Sequence, residues 1–192
     1  MKLKIFFIAI LLVTSINLYS QIRDKGTFEI TPKIGKSVSN YYVSGNSSSA
    51  LSSTNFGISG DYYLNNRWSL NSGLLYQRMG GKTYAEEYDI DYLNIPVNAN
   101  WHFGSTRKWN LNFGFAPSFK IGGKNPNILN SEIKNSQIGI TLGIGYKIKI
   151  SNKIGIMIDY QFFSGMTNIS NDEIYDIKNK NGNFNIGMII KL

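Results

Sequence analysis

The chain has 192 residues, only 17% of them charged, with 20 Lys and Arg against 12 Asp and Glu for a formal net charge of +8. At roughly 150 residues per domain this is one domain, enough for a single barrel or sandwich. The lack of cysteine excludes a disulfide framework, a thiol nucleophile, thiolate metal centres and a cysteine-acylated anchor, and a lone His102 removes most histidine-based metal sites.

Residues 1–20 read as a secretory signal peptide: Lys2 and Lys4, an apolar run over 5–13, then Ser20 ahead of Gln21. The run is too short for a permanent spanning helix. Its removal would leave a domain over residues 21–192.

From there onward the apolar residues recur with period two, the signature of strands with one apolar face. In 27–35, Phe28, Ile30, Pro32 and Ile34 oppose Thr27, Glu29, Thr31 and Lys33. In 55–64, Phe56, Ile58, Tyr62 and Leu64 oppose Asn55, Gly57, Ser59 and Asp61. Segment 68–76 sets Trp68, Leu70, Leu74 and Tyr76 against Ser69, Asn71 and Gly73, with Leu75 out of pattern. Over 92–103, Leu93, Ile95, Val97, Ala99, Trp101 and Phe103 oppose Asn94, Asn98, Asn100 and His102. The cleanest alternation is 109–121, Trp109 to Ile121, followed by 138–150, 154–162 and 184–192. Together these predict eight strands.

Connections alternate in length. Residues 65–67, 104–108 and 151–153 are tight-turn sequences, whereas 36–54, 79–91, 122–137 and 164–183 are long and rich in Ser, Asn, Gly and charge. This predicts an all-β, eight-stranded antiparallel up-and-down transmembrane β-barrel with short periplasmic turns and long extracellular loops, placed in the cell outer membrane. Pro32, Pro96 and Pro117 fall inside strands of a wall that has no edge, so bulges or strand ends are expected there.

A secreted lipocalin-like barrel carrying a hydrophobic ligand is the soluble rival, with its apolar face turned inward. Against it, the opposing face is Gly, Asn, Ser and Thr, thin cover for a soluble exterior. Tyr62, Trp68, Trp101, Phe103 and Trp109 also flank two of the turns, as an aromatic girdle at a membrane interface would.

The segment Tyr92-Leu93-Asn94-Ile95-Pro96, followed by Trp101-His102-Phe103 and a short turn, resembles the Tyr-Leu-x-Ile-Pro signature of the Bacteroidetes outer-membrane β-barrel family of PorT-like proteins. The run from Trp68 to Tyr76, with Gly80 and Gly81, is similar to that family's preceding strand. The resemblance covers about residues 26–192. It implies an eight-stranded outer-membrane barrel and a role accessory to secretion or gliding machinery, and it carries over no catalytic residue. The chain departs from many such barrels in ending Ile190-Lys191-Leu192 rather than on an aromatic residue.

Parity places Glu29, Asp61 and Asp159 inside the barrel with Lys33, Lys120, Lys147, Lys149 and Lys191, which predicts an interior cluster of structural ion pairs. No catalytic, cofactor or metal site is expected. His102 has no carboxylate near it in sequence, Gly80-Gly81-Lys82-Thr83 lacks the glycine and the helix of a phosphate loop, and the loop acids (Asp89, Asp91, Asp172, Glu173, Asp176, with Asn171) lack calcium-loop spacing. An outer-membrane hydrolase using His102 is the alternative from another class. The expected partners are outer-membrane lipid and lipopolysaccharide phosphates, met by lysines at turns and rims, and a protein at the loops or periplasmic rim. The Ser-rich tip within 36–54, containing Ser47, Ser48 and Ser49, is the first candidate for that contact. Dispersed lysines give no nucleic-acid strip, and the barrel is expected to be a monomer.

Overall fold

The computed structural model describes residues 23–43, 46–82, 87–124, 132–172 and 174–192, so the expected signal peptide lies outside the described residues. The strands are β1 (Phe28–Val43), β2 (Asn46–Ser47), β3 (Leu51–Tyr63), β4 (Trp68–Lys82), β5 (Glu87–Asn94), β6 (Val97–Phe103), β7 (Trp109–Gly122), β8 (Ser136–Lys149), β9 (Ile154–Gly165) and β10 (Ile177–Lys191). All pairings are antiparallel, and β10 closes onto β1 from Glu29 opposite Lys191 to Val43 opposite Ile177. With β5 and β6 counted as one interrupted strand and the two-residue β2 set aside, the wall is an eight-stranded up-and-down barrel. Closure satisfies every strand's edge, which a bilayer requires.

Side-chain direction settles the inside-out question. Ile34, Phe56, Ile58, Leu74, Phe113, Phe115, Ile140 and Leu142 all point outward and are exposed, while Asn55, Asn98, Asn112, Asn183 and Asn185 are buried inside. A soluble carrier would need the reverse. The apolar band is the lipid-facing belt of an outer-membrane protein, and the lipocalin-like alternative falls with it.

The short turns form as their residues dictate. Asn65 Oδ1 accepts the amides of Arg67 (2.8 Å) and Trp68 (2.9 Å), and Ser151 Oγ accepts that of Ile154 at 3.0 Å. These side-chain acceptors replace the ladder where the chain reverses. In the turn at 104–108, Gly104 takes φ 80° and Arg107 φ 53°.

The long loops are shorter than expected. Within 36–54, β1 runs on to Val43 and β3 begins at Leu51; β4 reaches Lys82, β7 reaches Gly122 and β10 starts at Ile177. The 16 residues of β1 exceed the roughly 10 that a tilted strand needs to cross the hydrocarbon. Beyond the lipid the outer face meets water, so Lys36, Asn40 and Thr54 can stand on it and the apolar alternation fades although the strand continues. The Ser-rich tip is tied down: the Tyr41 amide donates to Ser48 Oγ (3.0 Å), Ser48 N donates to Tyr41 O (2.9 Å), and Ser49 and Lys82 exchange backbone bonds at 3.0 Å.

Of the three prolines, only Pro96 ends a strand, separating β5 from β6. Pro32, opposite Ile58, and Pro117, opposite Ile138, sit inside β1 and β7 without a change of register. The bulges expected at those two are absent, and the wall's irregularity lies between Asp91 and Tyr92 instead. Pro117 still accepts through its carbonyl, from Ile95 N at 2.9 Å, so only its missing donor is lost.

Candidate functional site: the filled lumen and the aromatic rim

The interior is stacked in three layers. At the short-turn end lies a network built around Lys147 on β8. Its Nζ is 2.9 Å from Glu29 Oε2 (β1), 2.9 Å from Asp61 Oδ2 (β3) and 3.0 Å from the Tyr63 hydroxyl. An ammonium has three hydrogens, and here each has an acceptor. Tyr63 OH donates in turn to Glu29 Oε2 (3.1 Å), and Arg23, ahead of β1, donates from Nε to Glu29 Oε1 (2.5 Å). Ser69 Oγ and Asn100 Nδ2 each donate to Asp61 Oδ1 at 3.0 Å. Two cations and two carboxylates balance, so the buried charges are paired as burial demands.

His102 belongs to this layer. Its Nε2 is 2.9 Å from Ser69 Oγ, and its ring stacks on Tyr63 with centroids 4.8 Å apart. Ser, His and Asp therefore meet, but not as a hydrolytic triad. Asp61 bonds to the serine rather than to the imidazole, Nδ1 of His102 has no partner among the described residues, and all three side chains are buried with no surface for a substrate.

The middle layer is a polar ladder. Asn55 Nδ2 donates to Asn185 Oδ1 (2.6 Å), Asn185 Nδ2 to Asp159 Oδ1 (2.5 Å), Ser37 Oγ to Asn181 Oδ1 (2.6 Å) and Thr141 Oγ1 to Asn98 Oδ1 (2.6 Å). Lys33 Nζ stands 3.5 Å from Asp159 Oδ2. Asparagine suits this position because it donates and accepts without charge, which accounts for the chain's Asn-rich inward positions. A void of about 30 Å³ bordered by Lys33, Gln77, Asn94 and Thr141 has room for about one water.

At the long-loop end the lumen turns apolar. Tyr41, Met79, Ile90, Tyr92, Phe163 and Ile177 point inward and pack with Ile133 and Ile169 from the connections. Gly139 makes space for this plug: a Cβ there would lie 2.4 Å from the Phe163 ring.

The residues read from the sequence as one interior cluster are thus divided. Glu29, Asp61 and Lys147 meet, and Lys33 pairs with Asp159 higher up. Lys120 instead donates to the Ile133 carbonyl (2.8 Å), and Lys149 is exposed at the short-turn mouth, outside any ion pair among the described residues. Parity is right for both, but their height puts them at the ends of the tube. Arg23, Tyr63, Ser69 and Asn100 join the network without a charge pattern in the sequence to mark them; inward parity beside Asp61 is the signal that points to Tyr63.

On the outer face, ring contacts run along the short-turn rim: Trp68 on Trp101 (6.4 Å), Trp101 on Phe103 (5.1 Å), Phe103 on Trp109 (6.3 Å) and Trp109 on Tyr146 (4.7 Å). Tyr62 shares that exposed face on β3, and Tyr146 extends the row beyond the girdle read from the sequence. Among the loop acids, Arg78 holds Asp91 (2.7 Å) and Asp89 (3.4 Å), Lys178 holds Asp176 (2.8 Å), and Glu173 lies outside the described residues. Gly80 and Gly81 are strand residues of β4, so no phosphate loop forms.

The chain resembles several solved barrels. With the outer membrane protein OprG from Pseudomonas aeruginosa it shares 12% identity and a TM-score of 0.55, over 88% of this chain and 97% of that one. With Neisserial surface protein A the identity is 14% and the TM-score 0.58, over 87% and 99%. With the outer membrane protein AlkL in lipid bilayers the values are 10% and 0.53, over 91% and 93%. These likenesses show the fold. A comparison with curated proteins finds no match. The model of the outer membrane protein beta-barrel domain matches residues 8–188, nearly the whole length, and the chain is a member of that outer-membrane family.

Proposed function

We propose that this barrel is a non-enzymatic interaction protein whose partner docks at the long-loop end, beyond the lipid belt. The observation that carries the reading is an apolar side chain standing in water there: Ile174, in the β9–β10 connection, is 81% exposed. Apolar exposure on the belt is explained by lipid, but this residue has none to meet. The pinned Ser-rich tip is the weaker candidate, since its polar groups are already engaged within the chain.

Exported with residues 1–20 as its signal peptide, the protein would act as a monomer on a rigid stalk. The Tyr92-to-Pro96 segment and its resemblance to PorT-like proteins support a setting beside secretion or gliding machinery. The buried Ser69, His102 and Asp61 weigh against the hydrolase reading, because no substrate could reach them.

A photoreactive amino acid at position 174 should cross-link to a protein in intact native cells, whereas the same group at Phe115 in the belt should label lipid alone. Equal protein labelling from both positions, or none from 174, would refute the docking surface. The filled lumen adds a second expectation: in planar bilayers the purified protein should give no stable conductance, and steady openings of hundreds of picosiemens would show that the layers do not close the tube.

A further inference from the structure

The short-turn mouth carries a cationic cavity that the network around Lys147 does not use. It has a volume of about 80 Å³ and is bordered by Lys149 at the end of β8, Lys153 in the turn and Lys191 at the end of β10. None of the three makes an ion pair among the described residues. The one acid at its border, Glu29, is already held by Arg23 and Lys147. Backbone pairing fixes the lysines as neighbours: Lys191 N donates to Lys153 O at 2.8 Å, and Lys149 lies opposite Gly155.

A second feature adjoins it. On the outer wall, an apolar furrow of about 800 Å³ passes over Pro32, with Ile34, Ile58, Ile186 and Met188 beside it. Pro32 is the small member of a row of large lipid-facing residues, and this lowers the wall locally. Ile154 and Gly155 line both the furrow and the cavity, so the two adjoin at the rim beside the turn that carries Lys153. A compact cationic pocket at the interface joined to an apolar channel along the hydrocarbon has the polarity pattern of a phospholipid.

We propose that this surface binds one anionic phospholipid of the periplasmic leaflet, with its phosphate among Lys149, Lys153 and Lys191 and an acyl chain along the furrow over Pro32. Unpaired cations select the anionic headgroup, and the adjoining furrow selects a lipid over a free anion. The site is independent of the partner surface proposed above, which lies at the opposite end.

The test is native mass spectrometry of the folded full chain in uncharged detergent, titrated separately with palmitoyl-oleoyl phosphatidylglycerol and phosphatidylcholine. The intact barrel should retain phosphatidylglycerol at least fivefold better. The triple variant K149Q/K153Q/K191Q should lose that preference while keeping its heat-dependent gel shift, and P32F should weaken retention of both lipids by filling the furrow. Equal retention of the two lipids by the native protein would overturn the proposal, as would an undiminished preference in the triple variant. Displacement of phosphatidylglycerol by millimolar inorganic phosphate, with P32F behaving as native, would assign the cavity to a free anion and overturn the lipid reading.

Discussion

Replacing Lys147 by methionine should cost the folded barrel about 3–5 kcal/mol, the largest loss expected of any single substitution here. The side chain is fully buried and supplies three hydrogen bonds. Methionine keeps most of the volume but leaves Asp61 with only neutral donors, while Glu29 keeps Arg23 and the Tyr63 hydroxyl. An uncompensated carboxylate inside a closed tube cannot be rehydrated without opening the mouth. Urea titration in detergent micelles, followed by tryptophan fluorescence and the heat-dependent gel shift, measures the loss. Adding D61N to K147M should restore most of it, because the neutral amide removes the one stranded carboxylate and leaves Glu29 paired with Arg23. An unchanged urea midpoint in K147M would mean that the network does not hold this end of the barrel together.

Phe115→Arg should cost about 2–4 kcal/mol, and Asn40→Arg less than about 1. Both positions face outward. Phe115 lies about half-way along β7, which begins at the aromatic rim, and is exposed to the belt. Asn40 lies near the far end of β1, opposite Lys180 of β10, where the wall has left the hydrocarbon. An arginine at mid-belt must drag water or headgroups inward; one beside Lys180 already sits among wet polar groups. Equal penalties for the two, read from the same urea titrations, would show that the lipid belt extends higher than the end of the apolar band.

Parity made much of this legible in the sequence. One apolar and one polar residue in turn is enough to assign Phe113 outward and Asn112 inward, and hence to place Glu29, Asp61 and Lys147 in the lumen. Height is harder to read. Whether two inward residues meet depends on the stagger between strands, so Lys149 and Lys147 look alike in sequence although one is a terminal lysine and the other the centre of a network. The apolar plug was hidden for a different reason. Met79, Ile90 and Tyr92 point inward where the wall has passed the lipid, so the rule that apolar means outward reverses there. In the sequence this reversal looks like the end of a strand, which is why 79–91 reads as loop. Arg23 lies before the first strand, where no periodicity exists to assign it a direction.

Pro96 and Pro117 meet in one seam of the wall, since Ile95, which precedes Pro96, donates to the carbonyl of Pro117. Neither proline can donate, so two amide hydrogens are missing from a short stretch of ladder facing the hydrocarbon, where water cannot substitute for them. The seam that closes the ring, β1 to β10, is paired from Glu29 to Val43 except at Thr31 and Pro32, with no shift of register. Cyclic closure and mechanical weakness therefore fall in different places. A lateral pull on this cylinder would part it mid-chain, between β7 and the interrupted limb formed by β5 and β6, and not where the chain's two ends were joined.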